Sequence, residues 1–198
     1  MYRLARRHSS FLGSSPEFKR RLGECAEAIR EVAGWDVVEV LRGVPGAPPM
    51  ERGDVVQPVL FAVMMSLAEL WRSYGVRRAA VIGHSQGEIA AACVAGALSL
   101  EDAVRVVVLR GRALLELSGL SGMAVVALPA ADVRERFADG DGLSVAAVNG
   151  PATTVVAGPV EPLAALLERC TADGVWARRV DVDYASHSPR WKPSASDR

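Results

Sequence analysis

Apolar residues return every three or four positions at Phe18, Leu22, Cys25, Ile29 and Val32, the spacing that lines one face of a helix. Ser15 offers a side-chain cap, Pro16 suits the first helical position and Gly34 ends the run, so a helix is predicted over 16–34. Met1 to Gly13 has no such period and reads as an irregular lead-in. The short apolar run 37–41 fits either a strand or one helical turn, and residues 43–49, rich in glycine and proline, read as a loop. After Pro58 the helical spacing resumes through Phe61, Met64, Met65, Ala68 and Trp71, predicting a second helix to about Tyr74 whose methionines and aromatics are core residues. The run 79–82, Ala-Ala-Val-Ile, predicts a strand, and the alanine-rich stretch after it a helix over 86–95 that stops at Gly96. Ser99 with Asp102 three residues on predicts another capped start, of a helix from Leu100 to about Leu117.

From Met123 the rhythm changes. Strands are predicted over 123–128, 143–148, 153–157 and 175–180, with helices over 130–138 and 160–172 and a turn at Asn149-Gly150-Pro151. The order β-α-β-β-α-β is the split motif of a ferredoxin-like unit, which places a small subdomain over 122–182. Residues 183–189 return from it. The polar stretch 190–198, with two prolines, is expected to be disordered.

Half of the 198 residues are hydrophobic, enough for a buried core of the globular class. Lys and Arg total 23 against 23 for Asp and Glu, so no net field draws the chain to nucleic acid or an anionic membrane. The three cysteines Cys25, Cys93 and Cys170 lie far apart within predicted helices, a pattern of reduced core thiols with no metal site. No secretory apolar segment opens the chain and no window of eighteen uninterrupted apolar residues occurs, so a cytoplasmic location is expected.

The chemistry gathers at Gly83-His84-Ser85-Gln86-Gly87, between the predicted strand and helix. That context is a nucleophile elbow, in which a sharp turn exposes the serine oxygen, small residues at both flanks let the chain turn, and the next helix aims free N–H groups at an oxyanion. A helix of about eleven residues rises roughly 16 Å, and an antiparallel return would bring Arg110 back near the height of Ser85. There its guanidinium could grip a substrate carboxylate, or it could be a solvated helix arginine like Arg105 and Arg112. Of three histidines, His84 adjoins the serine but diverges from it, and His8 lies in the lead-in. His187, just after the last predicted strand, is the candidate base by position, with an incidental loop histidine as the alternative.

These residues together resemble the acyltransferase domain of modular type I polyketide synthases, related to the malonyl-transferases of fatty acid synthesis. The likeness runs from about Ser14 to Pro189 and includes Asp54-Val55-Val56-Gln57-Pro58, Gly83 to Glu88, Arg110, the unit from Met123, Asn149-Gly150-Pro151 and Tyr184-Ala185-Ser186-His187. It implies an α/β fold, a partial α/β-hydrolase-like large subdomain over 14–121 with the ferredoxin-like unit inserted. It implies that Ser85 attacks an acyl-coenzyme A thioester, carries the acyl group as an ester and passes it to the phosphopantetheine thiol of an acyl carrier protein. His187 would be the base, Gln86 an oxyanion donor through its backbone, and Arg110 the carboxylate-binding residue, with His84, Tyr184 and Ser186 at the substrate. Tyr-Ala-Ser-His with glutamine after the serine implies methylmalonyl-coenzyme A over malonyl-coenzyme A, Ser186 leaving room for the methyl group. No cofactor of its own is implied; flanking synthase domains are implied partners.

The chain departs from the family at both ends. Tyr2 to Phe11 stands where the family has a Gly-Gln-Gly-Ser-Gln loop supplying the second oxyanion donor, whose loss costs about 3 kcal/mol of transition-state stabilisation. After His187 the sequence Trp191-Lys192-Pro193-Ser194 leaves the pattern. A catalytically impaired fragment or a scaffold or docking remnant is therefore one alternative to a working transferase. A hydrolytic, editing-type acyltransferase is a second. An ordinary α/β-hydrolase would share the serine turn but not Arg110 or the inserted unit.

Overall fold

The computed structural model describes residues 15–115, 119–137 and 140–180. The expectations for 1–13, 183–189 and 190–198 lie outside them. The chain divides into two compact units, the first ending at Leu114 and the second starting at Leu115.

Every regular element in the described part of the first unit is a helix. Helix α1 (Pro16–Ala33) starts as its sequence dictates: Ser15 Oγ accepts the Phe18 amide at 3.2 Å, Pro16 stands in the first turn, and Gly34 closes the helix at φ 83°. Helix α2 (Val37–Arg42) resolves the ambiguity of 37–41, because the Asp36 carboxylate caps it by accepting from Val38 N at 2.7 Å and Glu39 N at 3.1 Å. Helix α3 (Gly53–Ser73) begins ahead of Pro58, where the sequence placed the start. The proline ring lacks only the amide that would reach Asp54 in the first turn, so the helix sacrifices one bond near its end and continues. Helix α4 (Gly87–Ala95) ends at Gly96 with φ 83°. Helix α5 (Leu100–Leu115) has the expected cap: Ser99 Oγ accepts the Asp102 amide at 3.0 Å and donates to the Asp102 carboxylate at 2.9 Å.

These helices share one core. Phe18, Leu22 and Ile29 of α1, Val55, Val59 and Phe61 of α3, and Val104 and Val107 of α5 are at most 1% exposed and lie in a single cluster. Each such side chain contributes on the order of 1.5–3 kcal/mol by leaving water. α3 is the one described helix long and apolar enough to cross a bilayer, and 61% of that window is buried inside the protein, as befits a central core helix.

The strand expected over 79–82 is absent. Those residues form no ladder, and Ile82 is 96% exposed. A strand exists only by pairing, and no described segment pairs with this one.

In the second unit, β1 (Ser121–Val126), α6 (Ala130–Arg134), β2 (Ser144–Gly150), β3 (Thr153–Pro159), α7 (Val160–Ala172) and β4 (Ala177–Arg179) follow in the expected order. α6 and β4 are shorter than the sequence suggested. The four strands form one antiparallel sheet in the order β2-β3-β1-β4. Ala124 and Val126 of β1, Val156 of β3, and Leu163, Leu166 and Cys170 of α7 make a second core. Thr154, buried in β3, satisfies its hydroxyl by donating to Leu128 O at 2.8 Å.

Candidate active site

The Ser85 turn is built by backbone geometry. Among the described residues Ser85 is the only non-glycine with positive φ, at 54°. A side chain in that left-handed region costs about 1–2 kcal/mol, so the surrounding chain must hold it there. Three successive i to i+3 bonds do so: Gly87 N to His84 O at 3.0 Å, Glu88 N to Ser85 O at 3.0 Å, and Ile89 N to Gln86 O at 3.1 Å. They tighten the entry into α4.

The glycines of the motif have unequal reasons. A Cβ on Gly83 would lie 2.2 Å from Glu88 N and 2.4 Å from Gly87 C, so the incoming chain runs against the first turn of α4 and tolerates no side chain. At Gly87 a Cβ would meet nothing within 4 Å. The expectation that crowding demands both glycines is corrected: the chain approaches the turn from one side only.

Gln86 follows the serine with helical φ and ψ, and its backbone N–H donates to no described residue. Its side-chain Oε1 is buried and has no hydrogen-bond partner among the described residues. His84 is exposed. Tyr184, Ser186 and His187 lie outside the described residues.

Arg110 sits near the C-terminal end of α5, partly buried, and its Nη1 donates to Gln57 Oε1 of α3 at 2.7 Å. Gln57 itself is 5% exposed. Gln57 has no role of its own in the sequence reading, and no local sequence signal marks it, because its contact with Arg110 joins distant positions. One turn earlier, Asp54 is held by a two-pronged pair with Arg52, at 3.0 Å and 2.7 Å. The structure therefore groups His84, Ser85 and Gln86 at one turn, and joins Arg110 to Gln57.

Burial disfavours the thiolate form of the cysteines. Burial pushes the Cys25 thiol up to about 12, and burial also raises Cys93 against the opposing influence of Arg21. A cavity of about 190 Å³ has Arg21, Arg72, Arg78 and Cys93 in its wall, but neither Ser85 nor Arg110 lines it.

Residues 9–198 match the family model described as the acyl transferase domain. Among curated proteins, erythronolide synthase EryA2 of Saccharopolyspora erythraea is 59% identical over 183 residues, 92% of this chain and 5% of that protein. Mycoketide-CoA synthase of Mycobacterium tuberculosis is 55% identical over 178 residues, 89% of this chain and 4% of that protein. Among solved structures, the acyltransferase domain from module 8 of the salinomycin polyketide synthase matches with a TM-score of 0.86 and 58% identity, covering 90% of this chain and 43% of that one. The loading acyltransferase of the avermectin polyketide synthase gives 0.88 and 45%, covering 92% and 59%. A chain from the complex of a type II polyketide synthase acyl-carrier protein with its malonyl-transacylase gives 0.81 and 25%, covering 96% and 62%. The chain thus spans one-twentieth or less of these curated relatives.

Proposed function

Because the chain belongs to the acyl transferase domain family, we propose that it moves a malonyl-type acyl group from coenzyme A to an acyl carrier protein through an ester on Ser85. The observation that carries this reading is the strained left-handed backbone of Ser85 at the head of α4, followed by a Gln86 amide that donates to no described residue. In this account the turn is a nucleophile elbow, within an α/β-hydrolase-like body that carries a ferredoxin-like unit.

Ser85 Oγ attacks the thioester carbonyl while His187 takes its proton. The Gln86 N–H donates to the developing oxyanion; the C–S bond then breaks and the thiol of coenzyme A leaves with the proton from His187. In the second half the phosphopantetheine thiol of the carrier protein attacks the ester and restores the Ser85 hydroxyl. Arg110 binds the free carboxylate of the acyl group, which distinguishes malonyl-type thioesters from simple acyl ones. The smaller side chain of Ser186, against a phenylalanine, favours methylmalonyl over malonyl by a pocket difference of about 1–3 kcal/mol.

One observation favours a second reading, a docking remnant. Val76, Val81 and Ile82, just ahead of the serine turn in a stretch that also carries exposed Arg77 and Arg78, are 51%, 39% and 96% exposed, apolar side chains open to another polypeptide.

Transfer separates the readings. Incubation with methylmalonyl-coenzyme A and an acyl carrier protein is expected to give acylated carrier, abolished by Ser85→Ala. Free acid formed without carrier would support hydrolytic editing, and carrier bound without acylation would support the docking remnant.

A further inference from the structure

Arg110 owes its position to a contact that the reaction does not itself require. The next residue on α5 is Gly111, and a Cβ there would lie 3.0 Å from Asp54 Cα and 3.5 Å from Asp54 Cβ on α3. Side-chain-free packing lets the two helices approach at this point. Gln57 lies three residues after Asp54, on the same face of α3, and there its Oε1 receives the Arg110 guanidinium at 2.7 Å.

We infer that Gly111 and Gln57 are the positioning residues of Arg110: the glycine sets the distance between the helices, and the carboxamide holds the guanidinium at the angle at which it meets a substrate carboxylate. The inference rests on Arg110 being the carboxylate-binding residue.

The chemistry of the pair supports that role over simple packing. A guanidinium has five donors, and one bond to a carboxamide leaves four for a substrate. A neutral acceptor fixes the arginine without cancelling its charge. A glutamate at the same place would hold it as well but would compete with the substrate carboxylate. Gln57 is 5% exposed, so water does not readily replace it in the bond.

Two measurements on the full chain test this. In nitrogen-15-edited spectra, the Arg110 side-chain signal, identified by its loss in Arg110→Lys, is expected to show hindered guanidinium rotation. Hindered rotation should persist in Gln57→Glu and disappear in Gln57→Leu and in Gly111→Ala. An unchanged signal in Gln57→Leu and in folded Gly111→Ala would overturn the inference. If circular dichroism finds Gly111→Ala unfolded, the leucine and glutamate variants of Gln57 decide it. In the second measurement, the preference of Ser85 acylation for methylmalonyl-coenzyme A over propionyl-coenzyme A should fall on the order of tenfold in Gly111→Ala, as expected for a sub-ångström misplacement, and also fall in Gln57→Glu, where rotation stays hindered. A preference that survives Arg110→Ala would remove the carboxylate reading of Arg110, while the rotation signal would still decide whether Gly111 and Gln57 hold the side chain.

Discussion

Ser85 could be singled out from the sequence because its chemistry is written in five adjacent residues, and its positive φ is the backbone consequence of that short motif. Gln57 could not. Its meaning depends on Arg110, fifty-three positions away, and on a 2.7 Å bond that no local pattern encodes. The same divide governs the thiols. The helical spacing of Cys25 marks it as a core residue, and its burial then raises the thiol to about 12 from an ordinary value of 9.0. The sign follows directly: the folded state keeps the proton longer than the unfolded state, so the contribution is complete below about pH 9 and is lost as pH rises towards 12. Stability should therefore fall across that window by up to about 1.4 kcal/mol per pH unit from this group. Urea unfolding of the wild type and of Cys25→Ala at several alkaline pH values checks it. The variant is less stable at neutral pH but should lack this part of the slope, and parallel slopes would contradict the assignment.

Among the elements, helix ends were the most legible, because a cap needs only residues a few positions apart. Ser15 with Pro16, and Ser99 with Asp102, act as their sequence indicates. Residues 79–82 differ from the expected strand because Val81 and Ile82 report only a willingness to pair, and no described segment pairs with them. Pro58 misled for the opposite reason: the penalty of proline depends on which bond it removes, and near the first turn of α3 that is a single one. Two alanine variants test the account of how the chain enters α4. Gly83→Ala forces a Cβ onto the Glu88 backbone and should destabilise by at least about 1–3 kcal/mol. Gly87→Ala has open space and should leave stability unchanged or raise it by up to about 1 kcal/mol. Equal losses in denaturant unfolding would contradict the one-sided crowding at this turn.

At the scale of the whole molecule, two units with separate cores carry different parts of the account. The helical unit holds Ser85, Gln86, Gln57 and Arg110, and the second supplies a four-stranded antiparallel sheet backed by α7. The alternation of strand and helix patterns made the elements of that sheet readable, but only β2 and β3 pair as close sequence neighbours; β4 pairs with β1 across α6, β2, β3 and α7, and no local pattern states that pairing. The serine turn gives this assembly a chemical purpose only if Ser85 accepts an acyl group. The most direct measurement is intact-protein and peptide mass spectrometry after brief exposure to methylmalonyl-coenzyme A. The account predicts one methylmalonyl group per chain, located on Ser85, absent from Ser85→Ala and strongly reduced in Arg110→Ala. A folded chain that acquires no adduct, or one that acquires it equally in Ser85→Ala, would contradict it.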